Sequence, residues 1–355
     1  MSTLLEQKCP CCGGAVEFDA GAQKLKCPYC DTEFDIKDTP AEQADTNGAS
    51  WAAQGSEWSS GEADGINEYI CNSCGGEIIA DSTTGATNCP YCGNQIVVKG
   101  QFSGALRPDM VIPFKLDKKQ AKEALKKHIS SKKFVPKAFL TENRLEEVKG
   151  IYVPHWLFTC DAAGNGDFRA TKIKRWSDSN YEYKETSYYS VYRSGNMSFD
   201  NIPVDGSKKM PDDLMESVEP FDVSQAVNFN TAYLAGYLAD KYDVTAEESI
   251  PRANERVTQS LADALRQTVT GYSSVETNGV NVDIANGTYK YALYPVWLLN
   301  TTWNGEKYTF AMNGQTGKFV GNIPIDKKAV ATAVALLGTG LSAAAYVLMS
   351  LIGLL

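Results

Sequence analysis

Hydrophobic and polar positions divide the chain into zones of different period. The most distinct runs from Ala329 to Leu355 and carries no charge. As a helix rising ~1.5 Å per residue it reaches ~40 Å, and a hydrocarbon core requires only ~20 apolar residues. A helix also satisfies its own backbone polar groups in lipid. Lys327 and Lys328 precede the segment and nothing charged follows. The positive-inside rule therefore places everything before Lys327 in the cytoplasm and the C-terminus outside. A buried helix of a soluble core is the bland alternative, but such helices are usually shorter and carry polar residues. The pattern predicts a single-pass tail anchor in the cytoplasmic membrane, residues 326–355.

Upstream, residues 101–325 show the mixed periods of an α+β cytosolic body. Asp117 can cap a helix with Ala121, Leu125 and Ile129 on one side. Residues 151–158, 166–175 and 180–193 read as strands, the last alternating Tyr181, Tyr183, Tyr189 and Val191 with polar positions. Helical patterns cover 231–242 and 252–269; the second starts at Pro251 and aligns Ala253, Val257, Leu261, Ala264, Leu265 and Thr268. Strands resume over 289–299, and Asn304-Gly305 and Asn313-Gly314 read as hairpin turns. A fainter repeat pairs Pro113-Phe114 and Pro154-His-Trp156-Leu157 with Pro220-Phe221 and Pro295-Val-Trp297-Leu298. Two copies of a helix-plus-antiparallel-sheet unit would explain it. Proline inside these strands predicts edges or bulges.

Residues 1–100 follow cysteine spacing instead. Cys9 and Cys12 are followed by Cys27 and Cys30; Cys71 and Cys74 are followed by Cys89 and Cys92 at an offset of 62. Each half predicts a zinc ribbon, two CxxC turns joined by a short hairpin around a four-cysteine tetrahedral site. Two residues between ligands let both sulfurs point at one ion, and the following glycines leave amides free to approach the thiolates. Strands are expected at 15–18, 24–26 and 77–79. Cys11 falls opposite Ser73 and is spare. Thioredoxin-like redox chemistry needs a βαβ context that is missing. Closed four-sulfur sites leave no open position for substrate, so two structural zinc ions are expected. The resulting division is ribbon 1 at 1–38, an acidic flexible linker at 39–66, ribbon 2 at 67–100, then body and anchor. Trp51 and Trp58 in the linker either dock on a ribbon or a partner, or fall there by chance.

Charge changes which partners fit. The net charge is −9, and residues 1–100 hold five Lys, no Arg and fifteen Asp or Glu. Such a surface repels a phosphate backbone, so nucleic acid is not the expected partner. The N-terminus lacks the basic and apolar regions of a secretory signal. Over 115–137 the balance flips to nine Lys against Asp117 and Glu123. This is a solvated helix face, a contact with anionic headgroups, or, third, a nucleic-acid contact. No catalytic constellation is evident, and no small-molecule substrate is implied. His128 and His155 are the only histidines; His155, beside Trp156, reads as packing, and Cys160 as a buried thiol. Gly314-Gln-Thr-Gly317-Lys318 fails the phosphate-loop spacing and ends a hairpin instead.

Order and motifs together resemble the YdjG-like zinc-ribbon membrane proteins of Gram-positive bacteria. The resemblance rests on the paired CxxC ribbons, the Pro-x-Trp-Leu strands, Asn313-Gly-Gln-Thr-Gly-Lys318 and the hydrophobic end. Genes of that family lie beside those for phage-shock protein A and an SPFH-domain protein. It implies a membrane-bound adaptor that recruits envelope-stress proteins. Members commonly carry a second hydrophobic segment, and only one strong segment stands out here. Such chains are also labelled primosomal helicases, a label this sequence rejects because it lacks a P-loop and the length for two helicase lobes. A non-enzymatic adaptor is the expectation, with its body still folded after zinc removal. A membrane-tethered nucleic-acid-binding ribbon protein is the alternative, and an enzyme using a polar cleft is the third reading.

Overall fold

The computed structural model describes residues 9, 11–12, 14–36, 51–53, 55, 58, 62–63, 65–81, 88–101, 106–132, 134–136, 148–303 and 306–351. Strands β1 (Glu17–Asp19), β2 (Lys24–Lys26) and β3 (Glu33–Phe34) form a small antiparallel sheet with Phe18 opposite Leu25. A second, large sheet begins with β4 (Ala52–Ala53), β5 (Ile66–Ile70), β6 (Glu77–Asp81), β7 (Val97–Gln101) and β8 (Met110–Val111). Helix α1 (Lys118–Ser130) precedes β9 (Lys149–Ser177) and β10 (Glu182–Asp205). Then come α2 (Asp212–Val218), β11 (Val227–Asn228), β12 (Leu238–Asp240) and α3 (Ala246–Gln267). Strands β13 (Ser274–Trp303), β14 (Glu306–Asn313) and β15 (Phe319–Gly321) lead to α4 (Lys327–Leu351).

The long antiparallel pair β9–β13 is the spine. Residues 151–158 are buried without a break, as expected where a sheet is covered on both faces. From 160 to 170 burial alternates, because Val257, Leu261 and Leu265 of α3 cover one face over Ala162, Phe168 and Ala170. From 172 to 177 every residue is exposed. The β9–β10 hairpin therefore projects as an arm whose end is bare on both sides.

Around Val153 and Tyr294, which pair directly, the two halves of the body make the same bonds twice. Strand β8 lies parallel to β13 with Met110 at Ala292, and β12 lies parallel to β9 with Leu238 at Ile151. The Trp297 indole donates to the Leu116 carbonyl at 2.9 Å, and the Trp156 indole donates to Val244 at 2.9 Å. Each acceptor directly precedes a helix N-cap, Asp117 or Thr245, and both caps close a capping box. Phe114 packs on Trp297 at 5.1 Å and Tyr242 on Trp156 at 5.3 Å. Gly314 N–H donates to Pro295 and Gly206 N–H to Pro154. Each half thus lends its first strand and aromatic to the other half's tryptophan.

Several expectations change. The counterpart of Phe114 is Tyr242 rather than Phe221, which packs on Tyr294 at 4.6 Å. Pro154 and Pro295 lie in central strands, not at edges. Each sits where its strand changes neighbours, from β12 to β10 and from β8 to β14, so the missing N–H leaves no ladder bond unmade. The helix expected over 231–242 is a 3₁₀ turn at Thr231–Leu234 followed by β12; Gly236 at φ +80° breaks it. Helix α3 begins at the Thr245 cap, and Pro251 lies inside it. The turn at Asn313 is as expected, with the Asn313 side chain accepting from Gln315 and Thr316 N–H. Asn304-Gly305 lies outside the described residues. So does most of 39–66, but Trp51 packs edge-on to Phe158 at 5.0 Å and Trp58 to Phe229 at 5.9 Å. Both tryptophans dock on the body. The large sheet also runs on across residue 100, because β6 bonds β12 and Lys241 pairs with Glu68 and Glu77, each at 3.0 Å.

Trp297→Phe keeps an aromatic ring but leaves the Leu116 carbonyl without its donor. We expect a loss of ~1–2 kcal/mol, and a similar loss for Trp156→Phe, read as lower midpoints in thermal unfolding of the detergent-solubilised chain. Unchanged midpoints for both would remove the indole bonds as determinants of the fold.

Candidate metal centres

Both cysteine quartets converge. The Sγ atoms of Cys9, Cys12, Cys27 and Cys30 all lie within 4.8 Å of one another, as do those of Cys71, Cys74, Cys89 and Cys92. Within the first, Cys9–Cys30 and Cys12–Cys27 are 3.5 Å apart; within the second, Cys71–Cys92 is 3.4 Å and Cys74–Cys89 3.6 Å. Four sulfurs at ~2.3 Å from a tetrahedral ion stand ~3.8 Å apart, so each quartet fits one such ion. Cys11 is exposed and outside the first group.

The CxxC turns repeat one backbone pattern. Cys27, Cys71 and Cys89 each donate N–H to the carbonyl five residues on, and the residue four on donates back. That fourth residue needs positive φ, supplied by Asp31 (+56°), Gly75 (+69°) and Gly93 (+77°). The turn also aims amides at the sulfurs. Thr32 hydroxyl and N–H hold the Cys30 thiol down to about 6. Burial pushes Cys71 up, but amides of Cys74 and Ser73 outweigh it and bring the thiol to about 7. Burial pushes the Cys74 and Cys89 thiols up, so the two lowered thiols are the readier thiolate ligands.

Neither centre stands alone. On the first, Phe18 N–H donates to Ala235 at 3.0 Å, its ring meets Tyr233 at 5.1 Å, and Gln23 Nε2 donates to Phe114 at 2.6 Å. On the second, three body side chains grip the backbone around the ligands. Lys209 Nζ donates to Cys74 O at 3.2 Å, Lys149 Nζ to Asn88 O at 2.7 Å and Asn300 Nδ2 to Pro90 O at 2.5 Å. Beneath them lies a buried acid, Asp240, whose Oδ2 accepts from Ser207 at 2.5 Å. The Tyr91 hydroxyl approaches it, yet neither that hydroxyl nor Asp240 Oδ1 closes a hydrogen bond of good geometry. Burial pushes this carboxyl up to about 7, partly offset by the Ser207 hydroxyl. Sequence reasoning passed over these residues. The available signal was an acid inside the apolar run Leu238-Ala239-Asp240.

Two of the remaining candidates are buried. His155 is buried and stacked on Tyr294 at 4.2 Å, and burial lowers its pKa to about 4. Cys160 is buried against α3. A cleft of about 740 Å³ opens between the first centre, the start of α1 and the base of β9, lined by Glu17, Asp19, Asp117, Lys118, Lys149 and Trp297 among others. It holds ionisable side chains, but Asp19 and Asp117 are occupied with turn and cap bonds, and no His, Cys or Ser lines it among the described residues. Helix α4 includes a 20-residue stretch, Lys327–Tyr346, with mean hydropathy 1.6 and none of it buried in protein. It is long and apolar enough to cross a membrane.

Two four-cysteine centres, a sheet-rich body and one bare apolar C-terminal helix define the class. This chain is 32% identical over 328 residues to Uncharacterized protein YdjG of Bacillus subtilis (strain 168), covering 92% of each chain. It belongs to the YdjG family. No family model matches it, and no solved structure matches it.

Two outcomes follow from this geometry. Cys71→Ser/Cys74→Ser is expected to halve the bound metal, measured by elemental mass spectrometry, and to lower the unfolding midpoint of the body, since β5–β7 belong to its sheet. A body unaffected by that loss would restore the picture of independent modules. For Asp240, an unfolded carboxyl titrates near ~3.9, so rising pH ionises the unfolded chain first. Stability from this group falls between that value and about 7, then levels off. Asp240→Asn should therefore stabilise more at about pH 8 than at about pH 5.5, by ~2 kcal/mol in denaturant titrations.

Proposed function

We propose that this chain is a non-enzymatic adaptor held in the cytoplasmic membrane by α4, with two zinc ions in its cysteine quartets and its body in the cytoplasm. Four thiolates in closed tetrahedral sites favour zinc and leave no position for a substrate. Lys327 and Lys328 at the start of α4 support the cytoplasmic placement.

The observation that carries the reading is the arm. Beyond Thr171, where β13 stops, β9 and β10 run on alone for the six pairs of 172–177 with 182–187, ~20 Å at ~3.3 Å per residue. At the end of the arm Trp176, Tyr181 and Tyr183 are exposed, and Tyr188 and Tyr192 are exposed farther back, where β9 still pairs with β13. Arg169 lies over Tyr188 at 4.8 Å and Lys174 over Trp176 at 5.5 Å. Tyrosine, tryptophan and arginine are the side chains that dominate protein interfaces. An arm that leaves the body and ends in them is built to hold a partner. The family resemblance points to phage-shock protein A-type and SPFH-domain partners, and so to envelope stress.

The alternative, nucleic acid, could use the same tip, since stacked aromatics beside cations also bind single strands, or the lysine-rich face of α1. One experiment separates them. Wild type and a Trp176→Ser/Tyr181→Ser/Tyr183→Ser variant are captured from membranes in mild detergent and their companions identified. Membrane-stress or SPFH proteins recovered with wild type and reduced tenfold or more with the variant support the adaptor. Nucleic acid recovered with wild type, and released by salt, overturns it.

A further inference from the structure

The lysine-rich helix α1 and the apolar helix α4 are far apart in sequence, but the fold joins them. Asp326 N–H donates to the Phe134 carbonyl at 2.7 Å, just beyond the end of α1. The same Asp326 caps α4, its Oδ1 accepting from Lys328 and Ala329 N–H at 3.0 Å each. A second tie fixes α1 against the approach to α4: the His128 ring meets Phe319 of β15 at 4.5 Å. Its apolar side, Ala121, Leu125 and Ile129, is buried, so α1 cannot turn its lysines inward.

The charge at this junction is lopsided. From Lys118 to Lys132 there are six lysines (118, 119, 122, 126, 127 and 132) and one acid, Glu123, a net +5 on a chain of net −9. Lys126, Lys127, Lys132, Lys327 and Lys328 are exposed, and none has a carboxylate partner among the described residues. Phe134 and Ile325, beside the same joining bond, are 40% and 66% exposed. Lys132 is two residues from Phe134, hence within ~8 Å of it by chain geometry, comparable to a Debye length of ~8–10 Å. Cations and bare apolar side chains at the mouth of a membrane-spanning helix match an anionic headgroup layer.

We propose that α1, with Phe134 and Ile325, is a docking surface for an anionic bilayer, holding the body down against the membrane in which α4 sits. The inference rests on the reading of α4 as a membrane anchor. The full chain is placed in nanodiscs of phosphatidylcholine alone, or of phosphatidylcholine with phosphatidylglycerol. Lysines are then reductively methylated and the rates followed by peptide mass spectrometry.

In the anionic discs Lys126, Lys127 and Lys132 should react about threefold to fivefold more slowly than in the neutral ones, the size of one headgroup contact. Lys184, near the end of the arm, should react equally in both. The difference should vanish in about 1 M salt, where the screening length is ~3 Å. Equal rates in the two lipids, in a chain that remains in the discs through an alkaline wash, overturn this proposal and leave the anchor standing. Protection that survives high salt also overturns it, as burial in protein. A chain that washes out of the discs overturns the anchor reading and this proposal with it.

Discussion

The antiparallel pairing of β9 with β13 about Val153 and Tyr294 is the constraint on which the rest depends. It brings Trp156 and Trp297 into one core, where each indole fixes the carbonyl that starts a helix in the other half. From those two bonds the placement of α1 and α3 follows. Helix α3 then covers one face of the arm, and α1 reaches the approach to α4. The second cysteine quartet hangs from the same pairing through β12, which lies between β9 and β6. Core, arm, cysteine quartet and C-terminal helix thus share one reference frame.

What could be read from the chain was local. Cysteine spacing revealed both quartets, because CxxC turns are set by a few neighbouring residues and the left-handed position after them. The capping of α1 by Asp117 and the apolar length of α4 were legible for the same reason. Long-range pairing was not. A helical period over 231–242 yielded to Gly236 and to the demand of β9 for a neighbour. The prolines looked like edge markers because sequence shows a missing N–H but not the gap between two neighbouring strands. Trp51 and Trp58 lie in a segment of low-complexity composition, and only the folded body reveals Phe158 and Phe229 waiting for them.

The buried polar residues show how the second quartet differs from an appended module. Lys209 donates to the carbonyl of the ligand Cys74, Lys149 and Asn300 donate to carbonyls beside or between ligands, and Asp240 lies against Tyr91. These residues come from four separate stretches of the body. The quartet's geometry and the body's geometry are therefore mutually determined.

The exchange of first strands between the halves also sets an order of events during synthesis. Phe114 is made long before its partner Trp297. Strand β14 closes at Asn313, shortly before α4 begins at Lys327. Neither half can close its core from its own residues. Contacts so distant in sequence form slowly, and a growing chain must hold its apolar strands open while it waits. The body can therefore close only once the chain has been made through β14, shortly before the apolar helix α4.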